Sequence, residues 1–316
     1  MFGLDVYAEQ PIPFLERSRA AASGRELFLH GGFADATAAG WPGAGELLCD
    51  ERERDDTINF QIEAHPEAGY LIWGPSYGAN VLSADGRTVS CAPGASSEAA
   101  WQRLLVAQVL PFAAVLSGLE VLHSSAVLLD GRAIACLGPS RAGKTSVALE
   151  LCRRGASFLT DDVLAIECRD GALIGHPGSP VASLDHEEAA RIEGRRSDPL
   201  TGAHDEQHDG QLLGVNSRER LVHVPAATEP APLEALFFLD RRSGGPEQPR
   251  FEAIADARAL LAATFNFVLR SPERLRGLLD VCALAAGGVA ERIVAGPAVD
   301  ASRLGEAIVS RLERSP

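Results

Sequence analysis

Eight residues near the middle of the chain, Gly138-Pro139-Ser140-Arg141-Ala142-Gly143-Lys144-Thr145, meet the spacing G-x-x-x-x-G-K-[ST] at every position. Such a loop has a specific use. Its glycines let successive backbone N–H groups turn into one concavity, the helix that follows adds partial positive charge, and the lysine neutralises phosphate oxygens. Thr145 supplies a hydroxyl of the kind that ligates Mg²⁺, and Ser146 extends the polar phosphate-binding set. The expected ligands are therefore ATP and Mg²⁺. A little further on, the pair Asp161-Asp162 offers carboxylates for a metal or a proton. Neighbouring side chains on an extended strand point to opposite faces, so both acids can serve one site only at a strand end or a bulge.

The segments around the loop have the order that a phosphate site needs. Ala126–Leu129 and Ala133–Leu137 are apolar runs joined by Asp130-Gly131, a two-residue hairpin signal. The second run empties into the glycine-rich loop, and Val147, Leu149 and Leu151 open a helix that stops near Gly155. The run "SFLT" then meets the two aspartates, and "VLAIE" continues as a strand. Upstream, residues 1–95 carry short alternating runs ("TINFQIEA", "GYLIW", "NVLSADGRTVSC") and read as a small strand-rich N-terminal domain. Residues 96–119 read as a connecting helix capped by Ser96 or Ser97, buried through its apolar face, and kinked or divided at Pro111. The remainder of 96–316 returns to an α/β pattern, with "LEALFFLDR" as a strand, "DARALLAATFNFVLRSPERLRGLLDVCALAAG" as helical, and a closing strand, turn and helix.

The segment from Leu122 to Glu167 resembles the catalytic core of HPr kinase/phosphorylase and its kinase-like relatives, which share a fold with phosphoenolpyruvate carboxykinase. His123 before the hairpin, Arg154-Gly155 at the helix end and Asp161-Asp162 after the next strand fall on that family's positions, and "RIVAGP" resembles its last strand. The resemblance implies an α/β fold with an HPr kinase-like P-loop core. It implies Mg²⁺-dependent transfer from ATP to a serine or other hydroxyl of a protein or peptide. In that reading Lys144 grips the phosphates, Thr145 and Asp162 hold Mg²⁺, Asp161 accepts the proton of the attacking hydroxyl, and His123 pairs with an aspartate to set its charge. Two positions depart from the family pattern. Arg141 stands where glycine is usual, and we take it as an added cation near the γ-phosphate or the incoming substrate. No stretch after Asp162 matches the one that serves HPr in that family, so whether HPr is the acceptor stays open. A nucleotide-binding regulatory module without transfer and a small-molecule kinase or NTPase are the alternative readings.

Composition narrows the partners. Lys and Arg total 29 against 43 Asp and Glu, a net charge of −14, which repels nucleic acid and anionic membrane surfaces. Six scattered cysteines have no metal-finger spacing and read as reduced, and the N-terminal stretch has no signal-peptide pattern, so a cytoplasmic protein is expected, with homo-oligomerisation open. Other motifs read blandly. Gly74–Gly78 ("GPSYG") has the spacing of a nucleophile elbow but is followed by strand signals, so it reads as a turn. His204 and His208 lie within 194–210, a stretch almost without large apolar residues that reads as a mobile surface loop. Arg191, Arg195 and Arg196 read as a solvated helix face, with a basic edge that touches phosphate as the alternative, and Cys49–Asp56 as a solvated charged loop.

Overall fold

The alternating runs of the N-terminal part form a seven-stranded sheet in the order β1-β2-β7-β6-β5-β4-β3. Its strands are β1 (Asp5–Ala8), β2 (Glu26–His30), β3 (Glu46–Arg52), β4 (Ile58–His65), β5 (Gly69–Gly74), β6 (Gly78–Leu82) and β7 (Thr88–Pro93). The computed structural model describes all residues except 16–22, 32–34, 36, 38, 187–188, 191–211, 216–218, 255, 266–270 and 315–316. The Gly74–Gly78 stretch is the hairpin turn between β5 and β6, closed by Tyr77 N–H on the Gly74 carbonyl at 3.0 Å. Cys49–Asp56 departs from the expected loop. Its first half is strand β3, at the sheet edge and paired only with β4, and the loop begins at Glu53. Charged side chains are at home there because an edge strand that presents them to solvent is protected from pairing with other chains.

One face of this sheet packs on the connecting helical run. Ser97 caps α1 (Glu98–Leu104) by accepting from Ala100 N–H at 3.0 Å. A π-helical turn, Leu105–Val109, follows, and then α2 (Leu110–Leu116). The division expected at Pro111 has a local cause. Proline lacks an N–H, and its ring crowds the carbonyl four residues back, so the chain widens by one residue just ahead of it. The run Glu98–Leu116 has a mean hydropathy of 1.4, enough by length and composition to cross a bilayer, but 67% of it is buried inside the protein. Its Leu104, Leu105, Val109 and Phe112 join Ile62, Ile72, Leu82 and Val89 of the N-terminal sheet, and Val121, Val163 and Ala165 beyond it, in one core.

The second half is a mixed α/β arrangement. Its main sheet has nine strands: β8 (Glu120–Leu122), β9 (Ser124–Leu129), β10 (Arg132–Leu137), β11 (Ser157–Thr160), β12 (Leu164–Arg169), β13 (Ala172–His176), β17 (Ala231–Arg241), β18 (Arg250–Ala253) and β19 (Ala290–Ala295). Asp130 and Gly131 turn β9 into β10 with φ of +49° and +76°, the left-handed pair that a two-residue hairpin needs. β11 pairs antiparallel with β9, and β10 pairs parallel with β17, so the end of β10 lies mid-sheet with a neighbour on each side. A small sheet of β14 (Val181–Asp185), β15 (Leu212–Val215) and β16 (Glu219–His223) packs on α3 (Lys144–Arg153) through Ala182, Leu184 and Leu149. The stretch expected to be helical over 256–287 is broken instead. A short α4 (Arg258–Leu261) ends before Thr264 bridges to Leu122, and α5 (Pro272–Gly288) starts anew with Ser271 as its cap and Pro272 in its first turn. The chain closes with β19 and α6 (Ala301–Leu312), as expected for its last strand and helix.

Candidate active site

The glycine-rich loop joins the end of β10 to α3. Gly138 and Gly143 take φ of +147° and +93°, and Arg141 takes +64°. Glycine adopts this region freely, whereas a side chain there costs about 1–2 kcal/mol. A strained non-glycine residue at the loop's exposed apex is thus a feature of this chain. Lys144 is 6% exposed and turns back over the loop, its Nζ donating to the carbonyls of Gly138 at 3.1 Å and Pro139 at 3.3 Å. Those partners are neutral, so the ammonium charge inside the loop is not cancelled by direct pairing. Burial pulls its pKa down, while Asp162 and Asp161 act against that shift.

The acid pair sits where β11 ends. Val163 N–H bonds to the Asp161 carbonyl at 2.7 Å across Asp162, whose φ is +62°. That is a γ-turn of the rarer, strained hand. Thr160 Oγ1 clamps it by donating to the Val163 carbonyl at 2.6 Å. This turn resolves the geometric problem of two adjacent acids, because it directs them to different partners around one corner.

Asp161 faces the loop. Its Oδ1 accepts from Thr145 Oγ1 at 2.9 Å and Ser125 Oγ at 2.5 Å, and its Oδ2 accepts from Ser183 N–H at 2.9 Å. Burial, with Asp162 beside it, raises its carboxyl to about 6. Asp162 pairs with Arg103 of α1, which also reaches Glu219 of β16 at 3.4 Å, and Glu219 in turn accepts from the Ser183 hydroxyl. Burial alone would raise Asp162, but the Arg103 and Lys144 charges and the hydrogen bond from Arg103 outweigh it and hold the carboxyl below its usual range. Behind the pair, Arg103, Val106, Asp161, Asp162 and Ser183 line a slot of about 10 Å³, room for at most one water.

His123 does come to the pair, but through the main chain: its Nδ1 lies 2.8 Å from the carbonyl oxygen of Asp162 and not at a carboxylate. A carbonyl only accepts, so Nδ1 carries the proton and Nε2 of the neutral ring is the acceptor. Burial and the Lys144 charge both lower the imidazole's pKa, which favours that neutral form.

The structure thus brings Lys144, Thr145, Asp161, Asp162 and His123 together around one loop. The carboxylate in contact with the Thr145 hydroxyl is Asp161, whereas Asp162, the one expected beside the metal, is engaged by Arg103. Arg103, Ser125, Ser183 and Glu219 were not legible as site residues. Arg103 left one signal, a lone cation in an otherwise apolar helical run, while the serines left none. Arg191, Arg195, Arg196, His204, His208 and the 194–210 stretch lie outside the described residues. Among the described residues no group of three or more His, Cys, Asp or Glu could hold a metal. A hydroxyl plus one carboxylate fits Mg²⁺ that arrives with phosphate oxygens, because Mg²⁺ keeps most of its water and takes few protein ligands.

No protein-family model matches this chain, and no curated protein sequence matches it. Among solved structures the chain is similar to the Hpr(Ser) kinase/phosphatase from Coxiella burnetii. The two share 15% identity with a TM-score of 0.31, over 62% of this chain and 99% of that one.

Proposed function

We propose that this protein binds a nucleoside triphosphate with Mg²⁺ at the 138–146 loop and transfers the terminal phosphoryl group to a hydroxyl of a protein or peptide, as an HPr kinase-like enzyme. The observation that carries the reading is the 2.9 Å contact between Thr145 Oγ1 and Asp161 at the first turn of α3, beside a buried lysine whose charge has no direct carboxylate partner among the described residues. A hydroxyl and a carboxylate joined at that point make a two-ligand edge for Mg²⁺, which on binding would neutralise the phosphates. Backbone N–H groups and Lys144 position the polyphosphate. Phosphoryl transfer asks little covalent chemistry of the protein, so positioning and charge neutralisation supply most of the rate.

The geometry favours a division of labour different from the one the resemblance implies. Asp161 serves the metal with Thr145. Asp162, with 24% of its side chain exposed, orients the acceptor hydroxyl and takes its proton once Arg103 is drawn toward the phosphates. His123 positions Asp162 by holding its carbonyl.

Calorimetric titration with Mg²⁺-ATP, on the wild type and on Lys144→Ala, tests binding. Labelled ATP with a proteome extract then tests transfer. The expected results are heat with the wild type only, and a labelled acceptor that is lost in Asp162→Asn while ATP binding persists. Absence of heat with any purine triphosphate overturns the reading. Binding without a labelled acceptor or hydrolysis would favour a nucleotide-responsive module, which the Arg103–Asp162 pair also suits because it ties up the acid that transfer would need.

A further inference from the structure

Side chains of opposite charge flank the loop. Towards β9 and β11 stand Asp161 and Asp162. Towards β17 stands Arg241, the last residue of that strand. Arg241 shares a face with Phe237 and Leu239, which pack in the core under α3 and α6. Its guanidinium lies over the loop: a Cβ placed on Gly143 would sit 3.4 Å from Nη1. Nη2 donates to the carbonyls of Pro297 at 2.9 Å and Val299 at 2.5 Å, on the segment between β19 and α6, and Nε is buried with no hydrogen-bond partner among the described residues. Among the described residues no carboxylate forms an ion pair with Arg241. A cation beside Lys144 and the positive end of α3, with only neutral partners, is an arrangement that an anion would stabilise.

Next to Arg241 a cavity of about 220 Å³ opens between the first turns of two helices. Ser146 and Val147 of α3 line one wall, and Asp300, Ala301 and Leu304 of α6 line the other. The apolar residues suit a flat ring, and Ser146 and Asp300 offer polar edges. On the opposite side of the loop, behind the acids, lies the slot of about 10 Å³.

We propose that this cavity receives the nucleoside end of a nucleoside triphosphate, with Arg241 supplying charge to the phosphate nearest the ribose. The inference rests on the nucleotide reading above and adds a direction. The terminal phosphate must lie near Thr145 and Asp161, where metal and acceptor meet, so the other end leaves on the β17 side. That is the side with room for a base.

The test compares ATP with inorganic tripolyphosphate, each with Mg²⁺, by calorimetry on the full chain. Ala301→Trp, which fills the cavity from a half-buried position, is expected to weaken ATP by about tenfold or more and to leave tripolyphosphate within about twofold. Arg241→Met should weaken both ligands, because tripolyphosphate also carries the third phosphate that Arg241 would hold. Wild-type protein photolabelled with 8-azido-ATP should carry the label on residues 297–304 or on Arg241, a result that does not depend on how any variant folds. Equal losses for both ligands in Ala301→Trp, no loss for either ligand in either variant, or a label mapping to the Arg103 side would each overturn the proposal. If the wild type binds tripolyphosphate as tightly as ATP, the loop stands and the cavity assignment falls. If it binds neither, the nucleotide reading itself falls, and this inference with it.

Discussion

Asp161→Asn should make the ligand-free protein more stable at neutral pH, although it removes a charge held by three hydrogen bonds. The carboxyl is raised from its ordinary 3.8 to about 6 by burial and by Asp162. A rise of about two units means that the fold pays ~3 kcal/mol to keep this group ionised at neutral pH. The amide would keep its carbonyl on the fixed Ser183 N–H and turn its NH₂ to Ser125 and Thr145, whose hydroxyls can rotate to accept. The rise to about 6 already nets those charge-assisted bonds against burial and Asp162, so an amide that keeps all three partners gains up to about 3 kcal/mol. The sign follows from linkage. For a carboxyl whose folded pKa is raised, the associated stability is present below about pH 4 and lost as pH rises through about 6. The variant's advantage should therefore be largest near neutrality and vanish on acidification. Urea denaturation of both proteins across that pH range, without nucleotide or metal, measures it. An Asn variant less stable than wild type near neutrality, or a difference that does not change with pH, would refute the view that crowded charge outweighs hydrogen bonding at this position.

Other consequences can be checked by the same denaturation measurements. Gly178→Ala should cost about 3 kcal/mol or more, since its Cβ would lie 1.9 Å from Thr160 Oγ1 and displace the hydroxyl that clamps the γ-turn. Arg103→Met should destabilise by about 1–3 kcal/mol, because it leaves Asp162 and Glu219 facing each other without their shared cation, and the partial exposure of the pair limits the cost. It should also raise the pKa of Asp162, visible as a shift in carboxyl titration by NMR. At the loop apex, Arg141→Gly should be neutral or stabilising by up to about 1 kcal/mol, whereas Arg141→Val should destabilise by about 1 kcal/mol, since a β-branched residue tolerates φ of +64° worst.

The glycine-rich loop, the hairpin before it, the helix after it and the acid pair were all legible in the order of residues. Each depends on neighbours close along the chain: Asp130-Gly131 dictates a left-handed turn, Gly138 and Gly143 permit the loop's backbone, and Gly155 ends the helix. Strands β4 to β7 of the N-terminal sheet and the division at Pro111 were legible for the same reason. The edge strand β3 was not, because a charged run has the same composition in an exposed strand as in a loop, and only pairing with β4 distinguishes them. Nor could spacing say which aspartate meets Thr145, because that depends on a γ-turn at Asp162 whose strained φ is held from outside by Thr160.

Arg103 reaches the site from a helix that precedes it, Ser183 and Glu219 from a separate small sheet, and Arg241 from the strand on the far side of the loop. Short-range propensity and hydrophobic period constrain dihedral angles and faces, which are properties of a few consecutive residues. Which distant side chains share a corner is settled by sheet order, strand register and the packing of apolar faces against one another, and these take shape only when the whole core closes.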